Sequence, residues 1–183
     1  MIKAIGALTI AGAFFVAACN QAGTTTSTAT SAAQPQVADP AVVKNLATFD
    51  DLDFNVFTHQ KWDELSRSHS KDIVVHWPDG HQTVGLERHI ADLKAMFAYA
   101  PDTRILIHPV KFGSGEWTSV IGEMEGTFTA PMLVPGGQAI PPTGKAFKLS
   151  MNTIGKWNKS GTMDEEYLFW DNATYMKQIG LAK

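Results

Sequence analysis

Two side chains stand where a proton could be moved to or from a ligand. Asp171 closes the tetrad Leu168, Phe169, Trp170, Asp171 at the end of an alternating apolar run. Complete burial there would raise a carboxyl by roughly 3 to 5 pH units, which suits it to act as a general base. The same carboxylate is equally placed to cap the following helix by accepting from the backbone N–H of Thr174. His76 ends a compact strand, Ile73 to His76, just before the turn Pro78, Asp79, Gly80. At a pocket mouth a neutral imidazole could pass a proton either way near pH 7, and packed in a core it would pass none. His76, Asp79 and His81 are close in sequence, but their spacing matches neither a helical His pair nor a zinc pattern, so no metal site is read there.

Alternation puts Glu165, Tyr167, Phe169 and Asp171 on one face of the last strand, and Glu166, Leu168 and Trp170 on the other. If the first set faces a pocket, Asp171 lies among aromatics. Trp62, Trp77, Phe97, Trp117, Phe128, Tyr167 and Phe169 would line that pocket, with Glu125, on the face of Glu123, as a second acid. The plainer use of the aromatics is core packing, and of the acids pairing with Lys148 across strands. His108, before Pro109, reads as a surface-strand residue.

Several elements must position these groups. Asp39 and Pro40 start a helix over about 40–55, with Val42, Val43, Leu46 and Phe49 at helical spacing. Thr58 or His59 caps a second, short helix carrying Trp62, Leu65 and His69 on one side. A strand over 72–77 precedes a third helix opened by Gly85, with a stripe of Leu86, Ile90, Leu93, Met96 and Phe97. Beyond Pro101 the period becomes two, in runs at 105–109, 117–128, 147–157 and 163–170, and a short helix spans 172–179. A loop rich in Pro and Gly separates the second and third runs. Helices first and antiparallel strands after indicate an α+β domain, with helices on one face of a curved sheet.

The 15 basic and 18 acidic residues give a net charge of −3 without a cationic block, which speaks against nucleic acid as a partner. The single cysteine excludes an internal disulfide. Lys3 and the apolar run Ala4 to Ala18 read as an export signal, too short to span a bilayer. Val16, Ala17, Ala18, Cys19 resemble a bacterial lipobox, so residues 1–19 read as a lipoprotein signal ending at a lipidated Cys19. Residues 20–38, rich in Thr, Ser, Ala and Gln, read as a disordered tether, and 39–183 as the domain. The expected location is the cell envelope, anchored on the periplasmic side. Asn20 after the cysteine leans toward the outer membrane, because it lacks the aspartate that retains lipoproteins in the inner one.

A set of short segments then appears in a familiar order. They are His76, Trp77, Pro78, Asp79, Gly80; Gly85; Ala100, Pro101, Asp102; Gly126, Thr127; Pro142, Thr143, Gly144, Lys145; Gly161 through Asp171; and Gln178, Ile179, Gly180. Over about 41–181 the chain resembles the SnoaL-like polyketide cyclase family of the nuclear transport factor 2-like superfamily. The resemblance implies a cone-shaped α+β barrel around an apolar pocket, often in a homodimer. It also implies a small hydrophobic or polycyclic ligand, and an intramolecular aldol closure that needs neither cofactor nor metal. Asp171 falls where the family's closing-strand aspartate acts as base, with His76 assisting. Phe128 and Trp157 stand where that aspartate's histidine partners would be. Two uses stay open: acid–base catalysis, and non-catalytic binding or protein interaction at the envelope.

Mass spectrometry of the protein extracted from membranes is expected to find a diacylated Cys19. An unmodified cysteine in that fraction would contradict the anchor.

Overall fold

Asp39 starts the first helix as the sequence suggests, its Oδ1 accepting from the backbone N–H of Ala41 at 2.9 Å with Pro40 in the first turn. The computed structural model describes residues 39–134 and 136–183, so the lipidation reading at Cys19 and the tether reading of 20–38 lie outside the described residues. Helix α1 (Pro40–Asp51) runs without a break into a π-helical segment, Leu52–Phe57. This wider turn leaves Leu52, Asp53, Val56 and Phe57 all buried.

The expected second helix is a 3₁₀ segment, Trp62–Arg67, which ends sooner than its spacing suggests. The Ser68 hydroxyl donates to the Leu65 carbonyl, a local bond that competes with continuing the helix. His69 therefore opens strand β1 (His69–His76). The chain continues through β2 (Gln82–Val84), α2 (Leu86–Tyr99), β3 (Arg104–Ile105), β4 (Val110–Ser114) and β5 (Trp117–Thr127). After a hairpin of β6 (Met132–Leu133) and β7 (Ala139–Ile140) come β8 (Ala146–Trp157), β9 (Met163–Phe169) and α3 (Asn172–Gln178).

The main sheet has the order β2-β1-β9-β8-β5-β3, with β4 also on β5, and ends in two edges rather than closing as a barrel. Every pairing in it is antiparallel except β1 with β9. The inner faces of β5, β8 and β9 present Val120, Met124, Leu149, Met151, Trp157 and Leu168 to α1 and α2. Phe49 of α1 meets Trp157 edge-on, with ring centroids 5.8 Å apart. Gly155 permits that approach, because a Cβ there would lie 2.5 Å from Met163 Sδ and 3.1 Å from Phe49 Cε2. Among the described residues no helix is long and apolar enough to cross a membrane.

Several of the short segments that carry the resemblance act as clamps. Asp102 accepts from the backbone N–H of Thr127 at 2.7 Å and from its hydroxyl at 2.9 Å. Thr143 donates to the Ile179 carbonyl at 2.6 Å. The Gln178 amide brackets Lys148, accepting from its N–H and donating to its carbonyl. These bonds fasten α2 and α3 to the sheet, so the segments mark a shape more than a reaction.

Asp171 is the N-cap of α3. Its Oδ1 accepts from the backbone N–H of Ala173 and Thr174, and its Oδ2 from the Thr174 hydroxyl at 2.6 Å. Those bonds, first of all the one from the Thr174 hydroxyl, hold the exposed carboxyl below its ordinary value of 3.8. A carboxyl lowered by folding stabilises above its unfolded value, and loses that contribution as pH falls through the folded one. Asp171→Ala is therefore expected to lower Tm at neutral pH, with the gap to wild type closing as pH drops below 3.8. A gap that persists unchanged in acid would contradict the cap, and thermal melts across pH read both.

Candidate functional site

The inner face of β9 carries an acid. Glu166 is 4% exposed and lines a cavity between the sheet and the helices. Two imidazoles converge on it: His69, the first residue of the neighbouring β1, and His89, one turn into α2. His69 Nε2 and His89 Nε2 each lie 3.5 Å from Glu166 Oε2. That distance is too long for a hydrogen bond of useful strength. His69 Nε2, His89 Nδ1 and Glu166 Oε2, together with the indole N–H of Trp170, are buried without hydrogen-bond partners among the described residues. Burial pushes Glu166 up, and His69 with His89 more than offset it, leaving the carboxyl below its usual range. Burial also brings His89 down to about 4, against the pull of Glu166, so His89 is neutral at physiological pH.

A second trio stands behind the same cavity. His108 is held between two carboxylates, its Nδ1 2.8 Å from Asp50 Oδ1 and its Nε2 2.8 Å from Asp53 Oδ2. Its side chain is 1% exposed, which corrects the surface reading of this residue. Burial draws His108 down, but the bonds to Asp53 and Asp50 outweigh it and raise it above 6.5. With both nitrogens facing carboxylates, the ring donates twice as imidazolium. Burial pushes Asp53 up and His108 only partly offsets it, so this acid sits above the ordinary carboxylate value. Asp50, nearer solvent, is pushed up by burial but held low by Lys111 and His108. Asp53 lines the cavity, and Asp50 and Lys111 connect the trio to the surface.

The cavity has a volume of about 40 Å³, room for on the order of three waters at roughly 10–15 Å³ each. Most of its wall is apolar, including Leu52, Phe57, Leu65, Met124 and Met151. Trp77, Met96 and Trp170 are the lining residues that are only half-buried, so they form its mouth. Trp77 is pinned there by donating its indole N–H to Thr83 at 2.9 Å, and it meets Trp170 edge-on at 6.3 Å.

The residues singled out from sequence divide between the two faces of the sheet. Trp77 alone among them lines the cavity. Phe97 is buried beside it, with Trp62 and Phe57 edge-on to its ring, and Phe128 is core, packed against Tyr99. Asp171 is outside, capping α3. His76, Trp117, Tyr167, Glu125 and Phe169 lie on the outer face, because β9 turns Glu166, Leu168 and Trp170 inward rather than their neighbours. His76 stacks on Tyr167 at 4.0 Å, and Glu125 pairs with Arg104 at 2.8 Å.

Sequence reasoning missed His69, His89, Glu166, Asp53 and His108 as a group. A signal for three of them exists. His89 falls between Leu86 and Leu93 on the apolar stripe of α2, Asp53 follows Phe49 at helical spacing, and Glu166 shares its parity with Leu168 and Trp170. An ionisable residue on an apolar stripe is costly unless it has a partner or a task.

Comparison with known proteins agrees with this architecture. The sequence profile of the SnoaL-like polyketide cyclase family matches residues 52–179. No curated protein of similar sequence is found. The fold resembles that of a protein from Jannaschia sp. CCS1, provisionally assigned as a SnoaL-like polyketide cyclase. The TM-score is 0.70 at 19% identity, over 81% of this chain and 99% of that one. A SnoaL-like polyketide cyclase from Agrobacterium tumefaciens C58 superposes with a TM-score of 0.57 at 15% identity, over 74% and 95% of the two chains. An NTF2-like protein of unknown function from Burkholderia pseudomallei K96243 gives 0.60 at 17% identity, over 75% and 98%. The profile match spans well over half of the chain, and with the open mixed sheet around an acid-bearing cavity it places the protein in the SnoaL-like polyketide cyclase family.

Proposed function

We propose that the domain binds a small, mostly apolar, carbonyl-bearing molecule in the cavity and moves a proton on it, with Asp53 as the acid–base group. The observation that carries this reading is the meeting of an apolar wall with buried polar atoms that have no hydrogen-bond partner among the described residues. Such atoms are costly unless a ligand completes them. Asp53 is the group best suited to the proton, because burial raises it and His108 can restore its charge state from behind. His69, Glu166 and the Trp170 indole would take the polar end of the ligand. Even a small keto ester has more heavy atoms than about three waters and exceeds the present volume, so its entry would require Met96 and Trp170 at the mouth to swing aside. Export and anchoring through Cys19 would place this binding at the cell envelope.

The homodimer that the family resemblance implies finds support on the outer sheet face, where Phe112 (62%), Trp117 (38%) and Phe169 (49%) are exposed. We infer that a second copy covers this face. Light scattering is expected to give a dimer for wild type and a monomer for Phe112→Asp combined with Trp117→Glu. A wild-type monomer would contradict the assignment.

For the chemistry, the reaction to follow is exchange of the α-protons of a small β-keto ester in D₂O, read by NMR with a chelator present. Asp53→Asn is expected to slow catalysed exchange by roughly 10²–10⁴-fold, and Asp171→Asn to leave it unchanged. The wild-type rate should rise with pH through a value above the ordinary 3.8 of an aspartate, because the base acts when deprotonated. The groups facing Asp53 are His108, with Asp50 and Lys111 behind it, and Glu166 and His69 across the cavity. Binding of the ester without catalysed exchange would instead establish a non-catalytic binding domain.

A further inference from the structure

His69, His89 and Glu166 form a cluster in which polar atoms of three side chains converge, all within 4.8 Å of one another. The Nδ1 of His69 lies 3.3 Å from the Leu65 carbonyl and 2.9 Å from the Ser68 hydroxyl. A carbonyl only accepts, so Nδ1 carries the ring proton and Nε2 presents a lone pair. That lone pair points at Glu166 Oε2, itself an acceptor, 3.5 Å away. His89 Nε2 approaches the same oxygen at 3.5 Å from the opposite element. Acceptors aimed at one another repel unless something positive sits between them.

We propose that these three side chains bind a divalent transition-metal cation of the Zn²⁺ class, through His69 Nε2, His89 Nε2 and Glu166, with a coordination position open to the cavity. The dimensions suit it. Bonds of roughly 2.0–2.1 Å at tetrahedral angles put ligand atoms about 3.4 Å apart. The two separations from Glu166 are 3.5 Å, and the three donor atoms all lie within 4.8 Å of one another. Two imidazoles and one carboxylate are the donor set of catalytic zinc sites, in which a fourth position stays free for water or substrate. The Leu65 carbonyl and Ser68 hydroxyl supply the outer support that fixes the tautomer of a ligating histidine. The chain assembles this site from three separate elements, β1, α2 and β9, along the cavity wall. The cation would receive the carbonyl or hydroxyl oxygen of the ligand, which deepens the reading of the cavity as a small-molecule site and rests on it.

The experiment is titration of the chelator-treated, full-length protein with Co²⁺ and then Zn²⁺. Wild type is expected to take up one equivalent of Co²⁺ with the visible spectrum of four-coordinate cobalt, and Zn²⁺ to displace it. Uptake should also raise Tm. Glu166→Gln and His89→Asn should weaken binding by more than the roughly 10–100-fold that loss of a supporting group costs, whereas His81→Asn on the surface should not. If those variants fail to fold, X-ray absorption of zinc-loaded wild type still decides, by finding two imidazole nitrogens on the metal. No stoichiometric uptake, uptake insensitive to Glu166→Gln and His89→Asn, or uptake lost in His81→Asn would overturn the proposal. Proton exchange on the β-keto ester is measured with chelator, so it tests the cavity separately: activity there without metal uptake removes only the cation.

Discussion

A carboxylate taken out of water loses several kcal/mol of hydration unless other groups replace it. This fold buries two of them, Glu166 and Asp53, against one cavity. Each is answered differently. Asp53 is hydrogen-bonded to His108, which is shared with Asp50 and backed by Lys111, a chain that carries charge outward to solvent. Glu166 has two imidazoles 3.5 Å away, close enough to face it but too far to bond it. The first arrangement is complete within the protein. The second is not hydrogen-bonded among the described residues, which is the reason to look for a function there.

The scaffold is organised so that this difference persists. The π-helical segment after α1 keeps Asp53 buried beside Leu52. The early end of the 3₁₀ segment at Arg67 frees His69 to open β1, where it pairs with Met163 of β9 and its imidazole reaches to 3.5 Å from Glu166. Gly155 on β8 lies opposite Glu166 in register and contributes no side chain to the inner face. Asp102, Thr143 and Gln178 lock the helices to the sheet from outside the cavity. Those clamps include residues by which the family resemblance was legible, which explains why the resemblance revealed shape more clearly than chemistry.

Helices and strands could be read from the sequence because burial imposes periods of 3.6 and 2, and α1, α2, β5, β8 and β9 all show them. The face of β9 could not. Glu165, Tyr167, Phe169 and Glu166, Leu168, Trp170 each offer an acid and two large apolar residues, so alternation separates the sets without choosing between them. The choice is made by register with β8 and by the helices above, which are long-range contacts. Asp171 belongs to neither face once the strand ends and α3 begins, and its helix-capping alternative was readable from Thr174. His69 and His108 looked ordinary because each becomes distinctive only beside residues far away in sequence.

Under the proposed function, ligands enter on the inner face, between Trp77 and Trp170, and not along Tyr167, Phe169 and Asp171. The five tryptophan indole N–H resonances report on this directly. Titration with a small β-keto ester is expected to shift the Trp77 and Trp170 signals, most of all Trp170, whose N–H is unpartnered in the cavity. Trp117, on the outer face, should stay fixed. Movement of Trp117 with Trp77 and Trp170 unchanged would contradict the account.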